Sequence, residues 1–164
     1  MTGKRFNTGD PVAYFITWTT FGTWLPGDER GWQKWGVGGI QPPNEIFREA
    51  ARSKLKEAEF ALSVQDRKIV ELTIEKHCEI RNWTLHQVNA RSNHVHVIVT
   101  APGFNPKAVR DQFKAWCTRK LKASHSNRQR FWTEGASCRY IQHEEDLDAA
   151  IEYAGDAQER KHLD

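Results

Sequence analysis

Two runs of alternating residues, separated by only three positions, restrict the fold more than any other feature of the sequence. The runs are WTLHQVNA, residues 83–90, and HVHVIVTA, residues 94–101, and the tripeptide RSN connects them. β-Branched residues recur at every second position of the second run, which is typical of a strand with one buried face. Because so short a connection joins neighbouring strands, the sequence predicts an antiparallel hairpin.

Upstream of this hairpin, the sequence predicts one strand and two helices. Residues 12–24, VAYFITWTTFGTW, are rich in β-branched and aromatic residues and predict the strand. Asn44 is a typical N-cap for a helix that runs to about Ala61. Ser63 begins a second helix, with Asp66 three residues later as its capping-box partner.

Downstream of the hairpin, the sequence predicts a helix, a strand and a last helix. Asn105 caps the first of these helices and Pro106 takes its first position. RFWTEGASCRYIQ, residues 130–142, predicts the strand, and residues 143–158 begin with the acidic turn that a helix dipole favours. The order β-α-β-β-α-β plus a helix predicts an α+β fold, a ferredoxin-like α/β sandwich. We expect an antiparallel sheet with helices on one face, an extra C-terminal helix and a single domain over residues 1–164.

Residues 22–44, GTWLPGDERGWQKWGVGGIQPPN, follow neither a helix nor a strand pattern. The segment holds six of the eleven glycines, three of the six prolines and three of the seven tryptophans. A connection of this length inside a compact domain is usually functional or mobile, so we interpret it as a long loop insertion. Its tryptophans either pack the loop against the domain or offer flat faces to nucleic-acid bases, and the sequence leaves both readings open.

The composition argues against several other classes of protein. No run approaches the roughly 18 apolar residues of a membrane span, so no membrane partner is expected. The N-terminus, MTGKRFNTGDP, lacks the apolar core of a signal peptide. The three cysteines, Cys78, Cys117 and Cys138, are an odd number at wide spacing, which argues against a disulfide framework or a zinc ribbon. We therefore expect reduced cysteines in a cytoplasmic protein.

Strand alternation places the two histidines of HVHVIV on one side of the sheet. His94, His96 and Ile98 share a face, and the intervening valines share the other, which must lie under the helices. The histidines are thus expected on the open face of the sheet. Two imidazoles at positions i and i+2 stand roughly 6.5–7 Å apart along a strand and can converge on one metal ion. A pair of surface histidines is the alternative interpretation.

A tyrosine is a candidate nucleophile to accompany these histidines. The chain has three tyrosines: Tyr14, Tyr140 and Tyr153. At about 100° per residue, a helical wheel places Tyr153 on the flank of a buried stripe that includes Leu147 and Ile151. From there its ring can cover the sheet while its hydroxyl reaches the histidines. The alternative is an amphipathic helix residue with a solvated tip.

The helix that begins after Asn105 is strongly basic. Its cations are Lys107, Arg110, Lys114, Arg119, Lys120 and Lys122. Its predicted buried stripe consists of Val109, Phe113, Trp116 and Leu121. A solvated helix face is the ordinary explanation for such charges. Because Asp111 alone opposes them, we favour a surface that faces phosphate groups.

The stretch NHVHVIV, the basic helix downstream of it and DLDAAIEYAGDAQ near the C-terminus together resemble the single-tyrosine HUH transposases. HUH stands for histidine, hydrophobic residue, histidine. The sequence is most similar to the branch of the REP-associated tyrosine transposases and the related IS200-like transposase domain. The resemblance extends from YFITWTTFGTW to Gln158, which is most of the chain.

The resemblance implies a metal-dependent transposase that nicks and rejoins single-stranded DNA. His94 and His96, with a third polar ligand, would hold Mg²⁺ or Mn²⁺, and Tyr153 would attack the scissile phosphate. The products would be a 5′-phosphotyrosine link and a free 3′-OH, and attack by another 3′-OH would rejoin strands in DNA recombination. Because the covalent link conserves the energy of the phosphodiester, ATP is not needed, and the sequence has no GxxxxGK[ST] loop.

The third metal ligand is where the sequence departs from the family pattern. Many members have Gln or Asn four residues after the tyrosine, and here that position is Ala157. In a regular α-helix, Asp156 would lie about 60° from Tyr153 and Gln158 about 140° from it, so geometry favours Asp156. Side-chain type favours Gln158, and Gly155 could loosen the helix and bring it round. Both candidates stay open.

The resemblance also implies a single-stranded or REP-like hairpin DNA partner, and hence a bacterial protein associated with the nucleoid. Candidate contacts to the DNA backbone are Lys107, Arg110, Lys114, Arg119 and Lys122 on the basic helix, and Arg30 and Lys34 in the long loop. Monomer and homodimer both stay open. The alternative function is a domesticated hairpin-binding protein with little or no cleavage activity, which the alanine at the expected ligand position suggests.

Overall fold

The computed structural model describes residues 11–34 and 36–157, with every side chain in these ranges except those of Gln33, Lys34, Asp156 and Ala157. The elements in chain order are β1 Ala13–Thr19, β2 Trp32–Lys34, β3 Val37–Gln41, α1 Glu45–Ser53, α2 Val64–Arg81, β4 Thr84–Ala90, β5 His94–Thr100, α3 Pro106–Leu121, β6 Ser137–Ile141, α4 Glu144–Glu152 and a π-helix, Tyr153–Ala157.

The main sheet has four strands in the order β4-β5-β1-β6, and each neighbouring pair is antiparallel. The hairpin predicted from the RSN connection is the β4–β5 pair. The last strand, β6, pairs with the first, β1, which places β1 inside the sheet rather than at its edge. This order confirms the predicted α+β, ferredoxin-like fold.

Helices α2 and α3 pack on one face of the sheet and form the larger core with it. Val97 of β5, Ile74 of α2 and Phe113 of α3 are fully buried in this core. Trp18 of β1 stacks on Phe113 with 6.3 Å between ring centroids. The valine face of β5 therefore lies under the helices, as the alternation in the sequence predicts.

The N-termini of both helices follow the predicted capping chemistry. The Ser63 side chain accepts a hydrogen bond from the backbone of Asp66, and the Asp66 carboxylate accepts one from the backbone of Ser63. The Asn105 side chain accepts from the backbone N–H of Ala108 at 2.8 Å, and Pro106 takes the first turn. These contacts satisfy backbone N–H groups that would otherwise lack partners at a helix start.

Two details of the predicted helices are wrong. Helix α1 ends at Ser53 rather than near Ala61, because the chain beyond it bonds elsewhere: the Phe60 N–H donates to a carbonyl of the loop after β1, and the Leu62 N–H donates to the β4–β5 connection. In α3, Trp116 is 41% exposed and Cys117 takes its place in the buried stripe. The buried residues of α3 follow a spacing of four, which excludes Trp116 from the core side.

The opposite face of the sheet is less open than the sequence suggests. Helix α4 and the π-helix pack over part of it and form a second, smaller core. Leu147 and Ala154 lie there against Phe15 of β1 and Ile98 of β5. This second layer is what encloses the side of the sheet that carries the histidines.

The segment 22–44 contains a short antiparallel hairpin, β2–β3, so it is not irregular throughout. Trp32 of this hairpin is buried, and its indole N–H donates to the carbonyl of Pro42 at 2.8 Å. None of the helices among the described residues is long and apolar enough to cross a membrane.

Candidate active site

The two histidines of β5 lie side by side in a buried position. Their ring centroids are 4.6 Å apart, and the exposed fractions of His94 and His96 are 8% and 6%. Both rings project to the same face because they are two positions apart on one strand. The two imidazoles are therefore close enough together to bind one metal ion.

Each histidine uses its Nδ1 atom in a hydrogen bond. His94 Nδ1 lies 2.6 Å from the amide oxygen of Asn93, and His96 Nδ1 lies 2.7 Å from the hydroxyl of Thr17. Thr17 is the residue directly opposite His96 on the neighbouring strand β1. In this orientation of Asn93 the amide oxygen accepts from His94 Nδ1, and Nε2, which is buried in both rings, is the nitrogen suited to a metal.

Tyr153 stands over this part of the sheet in the same chain. Its ring centroid is 6.5 Å from that of His96 and 6.3 Å from that of Phe15. The residue ends α4 and begins the π-helix, and it is 38% exposed while its neighbour Ala154 is fully buried. Phe15 packs against the rings of both Tyr153 and His96, since its centroid is also 5.5 Å from that of His96.

A side chain of β4 fixes the π-helix to the sheet. Asn89 is paired with His96 in the β4–β5 register, and its amide nitrogen donates to the carbonyl of Ala154 at 2.6 Å. Gly155 lies so close to the sheet that a β-carbon there would meet the Gln87 amide nitrogen at 2.8 Å. Asn89 and the absence of a side chain at Gly155 thus hold the segment that carries Tyr153 against the histidine strand.

The α-helical geometry of α4 does not continue into the segment where the third metal ligand is expected. Residues Tyr153–Ala157 form a π-helix, so the angles expected for an α-helix do not apply to Asp156, whose side chain is outside the description. Gln158 lies outside the described residues. Within the described part of the chain, no group of three or more His, Cys, Asp or Glu side chains could hold a metal ion.

A cleft of about 810 Å³ opens beside the histidine pair and reaches Tyr153. Its floor is the sheet, with Thr17, His96 and Arg139 among the lining residues, and its walls include Trp24 from the segment 22–44. The imidazole of His96, the half-exposed phenol of Tyr153 and the arginine Arg139 along one cleft suit a reaction at a phosphodiester group.

Comparison with known proteins identifies the family. The model of the family described as "Transposase IS200 like" matches residues 51–154. The chain belongs to the IS200-like transposase family. The matched region contains His94, His96 and Tyr153, whereas the segment 22–44 lies before it. Family membership indicates an enzyme that acts on DNA, and it confirms the resemblance seen in the sequence.

Two solved transposase structures share the fold. One, from Deinococcus radiodurans R1, carries the description "putative transposase"; it is 10% identical, with a TM-score of 0.52, and the match covers 88% of this chain and 91% of the other. The second is a REP-associated tyrosine transposase bound to a REP hairpin, 12% identical, with a TM-score of 0.51, and the match covers 87% of this chain and 63% of the other. No curated protein matches this chain.

The α3 cations that the sequence predicts to contact DNA lie away from the histidine pair of this transposase. Helix α3 packs on the opposite face of the sheet, and it carries Lys107, Arg110, Lys114, Arg119 and Lys122. Three of them already have partners: Arg110 pairs with Asp111 at 2.9 Å, Arg119 lies 4.7 Å from the centroid of the Trp116 ring, and Lys122 lies 3.4 Å from Gln129. The structure brings His94, His96 and Tyr153 together but does not bring the outer cations of α3 to them.

Lys114 connects the two sides of the molecule. Its ammonium donates to the carbonyls of Thr133 at 2.9 Å and Gly135 at 2.5 Å, in a segment that also lines the histidine cleft. Burial, with a smaller contribution from the positive charge of Arg110, lowers the pKa of Lys114 to about 8. Its contacts are those of a lysine that shapes the cleft wall.

Several cleft residues escaped the sequence interpretation. Arg139 of β6 is exposed, lines the cleft and is paired with Phe15 of β1. Thr17 and Asn89 bond to His96 and to the π-helix, respectively. The predicted hairpin already put β4 beside β5, but only the sheet order and register show that β1 flanks β5 on its other side with Thr17 opposite His96.

Proposed function

We propose that this transposase nicks single-stranded DNA and joins strands, with Tyr153 as the nucleophile. The observation that carries the proposal is the position of the Tyr153 ring 6.5 Å from the ring of His96, above a buried histidine pair of the same chain. The tyrosine and the histidine pair thus come together within one chain.

The reaction exchanges one phosphate ester for another. The Tyr153 oxygen attacks the phosphorus of the scissile phosphodiester and loses its proton, the bond between phosphorus and the 3′ oxygen breaks, and the 3′ oxygen takes up a proton. The products are a 5′-phosphotyrosine link and a free 3′-OH. The reverse reaction with another 3′-OH rejoins DNA. Tyrosine has an ordinary pKa near 10, so it needs positioning and charge stabilisation to react.

A divalent metal fits the donors that the site offers. Two buried imidazoles with their Nδ1 atoms already bonded supply two nitrogen ligands, and family membership suggests a metal cofactor. Mg²⁺ or Mn²⁺ bound there would neutralise negative charge that develops on the phosphate. Thr17 and Asn93 would keep the rings oriented, and hard cations would draw their other ligands from oxygen atoms.

The π-helix supports Gln158 over Asp156 as the source of that oxygen. A π-turn contains one residue more than an α-turn, so it shifts by one the position at which a side chain equivalent to the α-helical i+4 residue is expected. Gln158 is five positions after Tyr153, and Asp156 is three. A polar residue five positions after the tyrosine can then take the place that the family fills at four.

The DNA partner is proposed from the family and from the cleft. The REP-associated relative of similar fold is bound to a REP hairpin, so we propose hairpin DNA with single-stranded flanks as the substrate. Arg139 is the cation placed to meet the phosphate in the cleft. Lys107 and Arg119 on α3, and Arg30 and Lys34 in the segment 22–44, remain proposed contacts to more distant parts of the DNA.

A labelled oligonucleotide assay tests the nucleophile and the polarity together. Hairpin oligonucleotides with randomised single-stranded flanks are incubated with the protein and Mn²⁺, then separated on a denaturing gel. We expect a protein–DNA adduct that carries a 3′-end label, because the tyrosine retains the 5′ phosphate of the downstream fragment. Tyr153→Phe, which removes only the hydroxyl, should form none, and Tyr140→Phe, on the exposed side of β6, should react normally. An adduct formed by Tyr153→Phe, or one that carries only the 5′-end label, rules out the assignment.

The alternative function is binding of hairpin DNA without cleavage. The observation that favours it is Ala157, which cannot ligate a metal from the position four residues after the tyrosine. Tight binding of hairpin oligonucleotides with no adduct across Mg²⁺ and Mn²⁺ would establish this function instead.

A further inference from the structure

The segment 22–44 forms one wall of the cleft that holds His96 and Tyr153. Trp24, Gly31, Trp32 and Ile40 all line that cleft. Trp24 also lines a second cleft of about 760 Å³, which lies beside the first. Thr133, Glu134 and Gly135 line both clefts as well, so Trp24 stands at the boundary between them.

The Trp24 ring is exposed but held in a fixed orientation. It is 40% exposed, and its indole N–H donates to the carbonyl of Gly31 at 2.8 Å. The Arg30 guanidinium lies 4.0 Å from the ring centroid. Since Arg30 covers one face of the ring and the indole N–H is already bonded, Trp24 has its other π face to offer a ligand in the cleft.

Arg30 is itself anchored, which makes this arrangement rigid. Its guanidinium donates to both carboxylate oxygens of Asp28 at 2.7 Å and to the carbonyl of Thr23 at 2.6 Å. Asp28 is buried, and its hydrogen bond to Arg30 holds the pKa of the carboxyl below its usual value. The contacts of Arg30, which the sequence suggested as a DNA contact, are thus those of a brace for Trp24.

Trp32, from the same segment, shows what a purely structural tryptophan looks like here. It is buried, it packs edge-on against Phe47 with 5.7 Å between ring centroids, and its N–H bonds to Pro42. Of the two tryptophans described in this segment, Trp32 packs the segment down and Trp24 presents its ring to the cleft. The sequence left open whether the tryptophans pack the segment down or offer flat faces to bases, and these two roles therefore apply to different residues.

We propose that Trp24 is a stacking platform for one unpaired base of the DNA strand beside the scissile phosphate. This inference rests on the proposed function, because it assumes that single-stranded DNA lies in the cleft of His96 and Tyr153. Every base has a π face, so stacking on a fixed indole binds a nucleotide without reading its identity. The strand then continues into the second cleft, where Arg110 and Arg130 are among the lining residues.

The test measures binding separately from chemistry, in a Tyr153→Phe background that binds DNA without forming an adduct. Single-stranded oligonucleotides carry one 2-aminopurine, moved along the strand position by position. We expect its fluorescence to be quenched by stacking at one position only, and the quenching to disappear in Trp24→Leu, which fills the space without a π face. Fluorescence anisotropy should show binding weakened on the order of 10-fold in Trp24→Leu and nearly unchanged in Trp24→Phe.

Trp116→Leu provides a matched control. Trp116 is also an exposed tryptophan with an arginine over its ring, but it lies on α3 and lines neither cleft. Its replacement should leave binding and quenching unchanged. Equal losses in Trp24→Leu and Trp116→Leu, or equal losses in Trp24→Leu and Trp24→Phe with unchanged thermal unfolding, contradict a stacking role for Trp24.

The outcome also separates this inference from the proposed function. If the unmutated protein forms the 3′-labelled adduct while Trp24→Leu binds and quenches normally, the stacking platform is wrong and the transposase chemistry stands. If quenching depends on Trp24 but no adduct forms with any hairpin substrate, the platform stands and the cleavage function is wrong.

Discussion

The two faces of the central sheet are built from the same strands, yet they have opposite characters. On one face, the side chains of β1 and β5 are apolar and fully buried under α2 and α3, as Ile16 and Val97 illustrate. On the other face, the register aligns Asn89, His96, Thr17 and Ser137 in one polar row across all four strands. A single alternating sequence therefore supplies stability on one side and chemistry on the other.

The largest expected effect comes from removing a histidine of the polar row. In His96→Ala, adduct formation should fall by more than the roughly 10- to 100-fold that is typical of losing a ligand's hydrogen-bond partner. The measurement is the rate of 3′-labelled adduct formation in Mn²⁺. Because His96 is buried against Phe15, its loss should also lower the midpoint of urea unfolding, so the rate is expressed per folded molecule. A rate near that of the unmutated protein would remove the histidine pair from the mechanism.

Val97→Ala changes the next residue of the same strand, which faces the helices, so it should affect stability rather than the rate of adduct formation. Val97 is fully buried on the helix face, and its truncation leaves a cavity that should cost about 2 kcal/mol of unfolding free energy. The rate of adduct formation per folded molecule should stay nearly the same. If Val97→Ala reduced the rate as strongly as His96→Ala, the division of labour between the two faces would not hold.

Removal of the Thr17 hydroxyl that orients His96 should have a smaller effect on the rate of adduct formation. Thr17→Val keeps the shape of the side chain but removes the hydroxyl 2.7 Å from His96 Nδ1. The rate of adduct formation should fall roughly 10- to 100-fold, and the fall should be partly recovered at higher Mn²⁺ concentration. Thr19→Val, on the same strand and opposite His94, is the control. An equal fall in both variants would indicate a general disturbance of β1.

Asn89, which ties the π-helix to the sheet, should affect the rate of adduct formation less than Thr17 does. In Asn89→Asp the side chain keeps its size but cannot donate to the Ala154 carbonyl when ionised, so the segment that carries Tyr153 loses its tie to the sheet. We expect on the order of a 10-fold lower rate of adduct formation, with a loss of about 1 kcal/mol in unfolding free energy. Anisotropy should show unchanged DNA binding. Weakened binding with a normal rate at saturating DNA would point to a different role for Asn89.

The smallest expected effect is a pH dependence of the unfolding free energy that is caused by Lys114. Folding lowers the pKa of this lysine from its ordinary 10.5 to about 8, so the unfolded chain binds more protons between these values. The unfolding free energy should therefore rise as pH rises through that window, relative to Lys114→Met. Urea unfolding at pH 7.5, 9 and 10 measures the difference. A difference between the two proteins that stays constant over this range contradicts the lowered pKa.

The sequence predicts the helix face well because the relevant information is local. Alternation in HVHVIV, the capping pair Ser63 and Asp66, and Asn105 before Pro106 each act within a few residues. These signals were enough to order the elements and to place Val97 inside and the histidines on the other side. Together they yielded the ferredoxin-like fold.

The polar face was harder to predict because its contacts join residues that are far apart in the chain. Thr17 meets His96 across 79 positions, and Asn89 meets Ala154 across 65. Nothing near Thr17 or Asn89 in the sequence marks them as special. On the basic helix, Lys114 carries a local signal for phosphate binding, and only the structure shows that it also donates to Thr133 and Gly135 of its own chain.

The π-helix also bears on how such proteins should be compared by sequence. Inserting one residue into an α-helix rotates everything beyond it by about 100°. A π-turn absorbs the additional residue within one turn, so the nucleophile before it keeps its place. An alignment that counts four residues from Tyr153 arrives at Ala157 and finds an apparently inactivated site. Under the proposed function, counting by turns selects Gln158, the next residue along the chain, as the candidate ligand.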